Sequence, residues 1–223
     1  MIALPFLDPH DPFELFPPLS QAFDEPNGLL AAGGCLSSQR LINAYRHGVF
    51  PWFSEGEPIL WWSPDPRLVL FPEKLYISTR LAKTLRQHKF DVTTNQAFES
   101  VIEHCAKLRV NAEGTWISED IKQAYSQLHK EGVAHSFEAW REGELVGGLY
   151  GIALGKLFFG ESMFHLQRDA SKVAFVHCVN QLKSQGFALI DCQVYSEHLA
   201  SLGAEEISRA EFSQLLTIYC SKE

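Results

Sequence analysis

Three apolar runs of strand length follow one another almost without a break: Ala134 to Trp140, Leu145 to Leu154 and Leu157 to Phe164. The links between them, Arg141-Glu142-Gly143-Glu144 and Leu154-Gly155-Lys156, are turn-sized and carry glycine. Runs joined so tightly pair as an antiparallel meander, and the rest of the chain must pack around that sheet. Upstream, Phe90 to Thr94 reads as a strand, Gln96 to Leu108 as a helix, and Ser118 to Lys130 as a helix entered through Ser118-Glu119-Asp120-Ile121. Downstream come a helix from Ala170 to Ser184, a strand from Ala188 to Cys192, a short helix near Glu197 to Leu202 and a final helix from Arg209 to Cys220. That order makes an α+β domain with one mixed, largely antiparallel sheet flanked by helices.

Residues 1–67 have a different texture, rich in Pro, Gly and Trp, with one clear helix from Ser37 to His47. Ser37 is a natural N-cap and Gly48 a natural stop. The expected division is a small, loop-heavy N-terminal α+β domain over residues 1–67 and a larger domain over residues 68–223. The aromatics of Phe50-Pro51-Trp52-Phe53 and Trp61-Trp62 are either core or a stacking platform for a base. Gly147, Gly148 and Gly151 interrupt the middle strand of the meander. They mark either a bulge that curves the sheet or the close passage of a ligand.

Composition excludes several classes. The five cysteines, Cys35, Cys105, Cys178, Cys192 and Cys220, are odd in number and widely spaced, which fits free thiols rather than a disulfide framework or a zinc knuckle. The opening residues, Met1-Ile2-Ala3-Leu4-Pro5, lack a basic stretch before an apolar one, so a cytoplasmic protein without a membrane anchor is expected. There is no phosphate-loop or dinucleotide fingerprint, no His-Glu-x-x-His and no Gly-x-Ser-x-Gly elbow, so ATP-driven, nicotinamide, zinc-hydrolytic and serine-hydrolase chemistry lack support. A net charge of −8 argues against a protein that coats nucleic acid indiscriminately. Local charge differs, because Arg80, Lys83 and Arg86 recur on one helical face within an acid-free stretch from Lys74 to Lys89. That face is either a phosphate stripe or a solvated helix surface.

Two segments set polar groups into apolar runs: Phe158-Phe159-Gly160-Glu161-Ser162-Met163-Phe164 and Leu189-Ile190-Asp191-Cys192-Gln193. An unpartnered polar group there would cost about 1–3 kcal/mol, so each needs a partner, in the protein or in a ligand. By strand alternation Asp191 and Gln193 share a face and Cys192 points away as a structural thiol. Glu161, Asp191 and Gln193 are therefore the candidate chemical groups. They could orient an amine for attack on an ester, or form a structural network at a strand end.

Further segments stand in order along the chain: Glu25-Pro26-Asn27-Gly28-Leu29-Leu30-Ala31-Ala32-Gly33-Gly34, Tyr45-Arg46-His47-Gly48-Val49-Phe50-Pro51-Trp52-Phe53, Trp61-Trp62-Ser63-Pro64-Asp65-Pro66-Arg67 and Gly114-Thr115-Trp116-Ile117. Phe159-Gly160-Glu161-Ser162-Met163-Phe164, Ile190-Asp191-Cys192-Gln193 and Ala200-Ser201-Leu202-Gly203-Ala204 follow them. Together these motifs resemble those of the bacterial leucyl/phenylalanyl-tRNA-protein transferase family, and the resemblance spans nearly the whole chain. It implies a GNAT-like acetyltransferase domain behind the N-terminal one. It implies transfer of Leu or Phe from aminoacyl-tRNA to the N-terminal Arg or Lys of a protein, marking that protein for N-degron-dependent degradation. No cofactor and no metal are implied, since the ester already carries the activation, and the enzyme is expected to be a monomer.

Position by position, the resemblance implies that Gln193 contacts the acceptor α-amine with Asp191 supporting it, and that Glu161 fixes the aminoacyl or acceptor end. Leu149, Phe158, Met163 and Ile190 would line the side-chain pocket. Tyr45, Trp52, Trp116 and Tyr125 would surround the terminal adenosine and the ester, and Arg80, Lys83 and Arg86 would meet tRNA phosphates. Cys35 stands where the family motif has Asp, and Leu149 where Met is familiar. Two competing readings are a CoA-dependent acyltransferase, which lacks its expected pyrophosphate loop before Ala170, and a non-catalytic tRNA-binding module.

Overall fold

The computed structural model describes residues 4–110 and 116–220 of the chain; Gly114 and Thr115 of the motif ending in Trp116-Ile117 lie outside them. The first elements are short: β1 (Phe6–Leu7), β2 (Leu29–Gly33), α1 (Ser38–Arg46), β3 (Phe50–Pro51) and β4 (Leu60–Trp62). Their strands form a four-stranded sheet in the order β1-β2-β4-β3. This sheet was not foreseen, because strands of two to five residues leave too few positions for a period to show.

The larger sheet begins at β5 (Arg67–Leu70). The chain continues through α2 (Thr79–Arg86), β6 (Asp91–Thr94), α3 (Phe98–Val110), α4 (Glu119–Lys130), β7 (Ala134–Arg141), β8 (Glu144–Leu154) and β9 (Leu157–His165). It ends with α5 (Ala170–Ser184), β10 (Leu189–Gln193), α6 (Glu197–Ala200), β11 (Glu205–Ile207) and α7 (Arg209–Tyr219). The strand order is β11-β5-β10-β9-β8-β7-β6. Among the described strands of this sheet only β9 and β10 pair in parallel, joined by α5 as their crossover, so the expected mixed, largely antiparallel sheet is present. The meander occupies β7 to β9. Two strands, β5 and β11, add to those expected. Both are short, and β5 is buried along its whole length, which erases the alternation that reveals a half-exposed strand.

Serine starts four of the helices. Ser37, Ser78, Ser118 and Ser208 accept hydrogen bonds from the backbone N–H of Arg40, Leu81, Ile121 and Glu211, each cap contributing about 1 kcal/mol. Strand alternation divides the core between the faces of the sheet. Leu157, Phe159 and Leu189 join α1, α3, α4, α7 and the small sheet, whereas Phe158 and Ile190 join α2 and α5. No helix among the described residues is long and apolar enough to cross a membrane.

The three glycines of β8 serve packing. A Cβ on Gly147 would lie 2.7 Å from Ala170 Cβ, one on Gly148 would meet the Phe137 carbonyl at 2.9 Å, and one on Gly151 would strike the Phe159 carbonyl at 2.2 Å. Gly151 also sits at an irregularity in the β8–β9 register. Protein atoms, then, fill the space a passing ligand would need. Gly147→Ala should force the start of α5 off the sheet and lower stability by about 1–3 kcal/mol, read as a fall in Tm at unchanged far-UV signal.

Candidate active site

Pairing between β9 and β10 stops at Phe159 and Asp191, although β9 runs on to His165. The two strands are unpaired beyond that point, and a cavity of about 230 Å³ opens there. Its apolar wall includes Leu149, Phe158, Met163, Ile190 and Phe175. Trp52 and Trp116 also line it, as do Glu161, Gln193 and Ser162. Trp52 is 47% exposed and is held from behind, its carbonyl accepting the Trp62 indole N–H at 2.6 Å.

Register breaks between Asp191 and Gln193, and Gln193 takes a left-handed backbone with φ of 65°. Such a conformation costs a non-glycine residue of order 1–3 kcal/mol and persists only where its surroundings impose it. Here they do. The Gln193 backbone N–H donates to Asp191 Oδ1 at 2.9 Å, and its side-chain Nε2 donates to Glu161 Oε1 at 2.9 Å. Simple alternation therefore fails at this strand end. Cys192, expected to point away from Gln193, lines the same cavity. Burial, with the Asp191 charge beside it, pushes its thiol up, so a reactive thiolate is disfavoured.

Asp191 itself has no exposed surface. Arg67 grips it with two bonds, Nε to Oδ1 at 2.8 Å and Nη2 to Oδ2 at 2.7 Å. Arg67 is equally buried, donates to the Gly48 carbonyl at 3.3 Å, and lies over the rings of Phe50 and Phe212. The bidentate ion pair holds the carboxylate that in turn holds the Gln193 turn. Asp191 thus supports the backbone of Gln193, not its side chain. Arg67 closes one of the family-like motifs, where its type and spacing alone give it no role. A charged residue opening a wholly apolar run was the available signal.

Behind Glu161 stands a pair of phenols. Tyr125 donates to Glu161 Oε2 at 3.1 Å, and the Tyr45 and Tyr125 hydroxyls are hydrogen-bonded to each other. Both rings have no exposed surface and lie off the cavity wall, so they brace Glu161. They were expected around an adenosine together with Trp52 and Trp116; of the four, only the two tryptophans line the cavity. Burial is the main cause that lifts the Glu161 carboxyl to about 7, partly opposed by its phenolic hydrogen bonds. Burial likewise raises both tyrosines, which stay protonated and available as donors. Two further polar groups belong to the cavity wall. Gln193 commits its Nε2 to Glu161, which leaves Oε1 as its acceptor, and the buried Ser162 hydroxyl has no partner among the described residues.

The model for the family described as leucyl/phenylalanyl-tRNA protein transferase matches residues 69–217, and the model for its N-terminal domain matches residues 34–65. The chain belongs to this family. It is 57% identical over 216 residues to the leucyl/phenylalanyl-tRNA–protein transferase of Methylococcus capsulatus, covering 97% of this chain and 92% of that protein. It is 61% identical over 201 residues to the protein of that name from Pseudomonas fluorescens, covering 90% and 89%. The enzyme is an aminoacyltransferase. Among solved structures it is similar to L-PGS from Bacillus licheniformis, at 11% identity and a TM-score of 0.42 over 60% of this chain and 48% of that one. It is also similar to an aminoglycoside acetyltransferase from an uncultured soil sample, at 12% identity and a TM-score of 0.40 over 61% and 92%.

Within this transferase, Arg80, Lys83 and Arg86 sit on exposed faces of α2, away from the cavity between β9 and β10. Cys35 stands at the entry to α1, its thiol 3.5 Å from the hydroxyl of the capping residue Ser37.

Proposed function

We propose that the cavity receives Leu or Phe esterified to the terminal adenosine of a tRNA and transfers it to the α-amine of an N-terminal Arg or Lys on a protein. The observation that carries this reading is an apolar slot that ends on Glu161 and Gln193. Leu149, Phe158, Met163 and Ile190 supply a wall for an unbranched-Cβ side chain, and a β-branched residue would be bulky where the slot meets the backbone. Trp52 and Trp116 offer ring faces to the adenine. Arg80, Lys83 and Arg86 take RNA phosphates.

In the transfer, the neutral α-amine attacks the ester carbonyl, the carbon–oxygen bond to the ribose breaks, and the amine proton goes finally to the released ribose hydroxyl. Gln193 Oε1 accepts a hydrogen bond from the attacking amine and so aims its lone pair. Glu161, ionised above about pH 7, favours the positive charge that develops on nitrogen. Tyr45 and Tyr125 hold the carboxylate in place, and Arg67 with Asp191 holds the Gln193 turn. The modified proteins enter the N-degron pathway, and the enzyme acts as a monomer in the cytoplasm.

Labelled Leu supplied as Leu-tRNA should appear on a protein beginning with Arg and not on the same protein beginning with Met. Gln193→Ala should lower that transfer by roughly tenfold or more while tRNA affinity stays within about twofold. Labelling of both proteins alike, or equal loss of transfer and tRNA binding, would remove Gln193 from the role given to it.

A further inference from the structure

A second concavity, of about 640 Å³, lies beside α2 and the start of α5. Arg80 and Lys83 of α2 line it together with Lys89, Arg141 at the β7–β8 turn, and Arg168 between β9 and α5. Asp169 is the single acid on its wall, and the Thr84 hydroxyl donates to it at 3.4 Å. Five cations against one carboxylate make a local excess of four positive charges in a chain whose net charge is −8. Among the described residues Arg80, Lys83, Lys89 and Arg168 form no ion pair, and Arg141 pairs only with its exposed neighbour Glu142 at 3.7 Å, while its Nη1 donates to Gln167 Oε1 at 3.0 Å. Converging cations repel one another unless an anion enters. Arg86, on the same helix, is not part of this wall.

The position matters as much as the charge. The two cavities share their supporting elements. Met163 lines the first and Gln167, four residues on, lines the second. Asp169, the N-cap of α5, lines the second and Phe175 within α5 the first, about 9 Å apart along the helix axis at 1.5 Å per residue. A ligand whose esterified end fills the first cavity would carry its neighbouring backbone across the second.

We propose that the second cavity seats successive phosphates of the RNA that bears the aminoacyl group, with Lys89, Arg141 and Arg168 binding phosphate beside Arg80 and Lys83. This rests on the functional reading given above and deepens it by adding three RNA-binding residues, Lys89 just past the end of α2 and Arg141 and Arg168 far from it in sequence. Because the bonds are to backbone phosphate, they hold the donor in place without reading its bases.

The test is binding of uncharged tRNA to the whole protein at a series of salt concentrations, for wild type and for the triple variant Lys89→Gln/Arg141→Gln/Arg168→Gln. The slope of log affinity against log salt should become shallower by roughly two to three, about one for each phosphate that is no longer neutralised. Arg168→Gln alone, a single exposed change, should remove about one. Slopes within error of wild type in both variants would overturn the proposal. Inorganic phosphate is the second probe: tight, variant-sensitive binding of phosphate that tRNA fails to displace would make this a free-anion site and equally overturn it. Wild-type transfer from Leu-tRNA is measured alongside. Its absence would remove the functional reading and this one with it, whereas intact transfer with unchanged slopes would remove only the role of the cavity.

Discussion

Arg67→Met should lower the free energy of unfolding by about 3–5 kcal/mol in urea titrations at neutral pH. The guanidinium and the Asp191 carboxylate are each at most 1% exposed and bonded at 2.7 and 2.8 Å. Removing one partner leaves the other charged, buried and unpaired, which is far costlier than losing the attraction itself. Methionine fills much of the same volume between Phe50 and Phe212, so the loss reflects charge and not a cavity. The double variant Arg67→Met/Asp191→Leu should regain most of the stability, because an apolar pair can replace a buried ion pair at little cost. Transfer should not recover with it. The Gln193 N–H would be without its acceptor, Asp191 Oδ1, and the left-handed turn that aims the amide at Glu161 would relax. A cost below about 1 kcal/mol for the single change would mean that water reaches the pair, and a double variant with full transfer would show that the turn needs no such support.

Glu161→Gln should make the protein more stable above neutral pH and a poorer catalyst. In the folded chain the carboxyl titrates at about 7, against an ordinary value of 4.5. Its contribution to stability is therefore fully present below 4.5 and is lost as pH rises through about 7, where the fold must hold a buried carboxylate. At about 1.4 kcal/mol for each factor of ten in proton affinity, the loss approaches roughly 3 kcal/mol at pH 8. Glutamine cannot ionise and keeps hydrogen-bonding capacity toward Tyr125 and Gln193. The variant's stability advantage should thus grow from near zero at pH 4.5 to a few kcal/mol at pH 8. Transfer should show the reverse: wild-type rate rises through about pH 7 as the carboxylate forms, and the variant lacks that rise and is slower by roughly tenfold or more. The acceptor α-amine titrates near 7.7–8.0 in both proteins, so the ratio of the two profiles isolates Glu161. A ratio that does not vary with pH, or equal stability at pH 8, would falsify the assignment.

Much of the larger sheet was legible because its elements are long enough to show a period. The meander announced itself through its turns, α5 has its expected bounds at both ends, and Ser37 and Ser118 marked two helix starts. Short elements escaped, as β5, β11 and the four-stranded sheet show. At the site, Leu149, Phe158, Met163, Ile190, Trp52, Trp116, Glu161 and Gln193 are found on one cavity wall. Tyr45, Tyr125 and Asp191 lie behind it, and nothing in residue type distinguishes a phenol that touches a ligand from one that braces a carboxylate.

By itself the sequence determined the order of the long elements, the apolar character of the slot and the presence of acidic and amide groups at its end, because each depends on local pattern. The tertiary structure decided how those groups are held. Arg67 and Asp191 are 124 positions apart, and Tyr45 and Tyr125 are 80 apart, so no local period could pair them. Strand alternation placed Asp191 and Gln193 on one face until a break in register, held by a side-chain bond back to the strand, turned Gln193 toward Glu161. A buried charge is satisfied by whichever partner the packed core brings within hydrogen-bond reach, and that choice is made only when the distant elements meet.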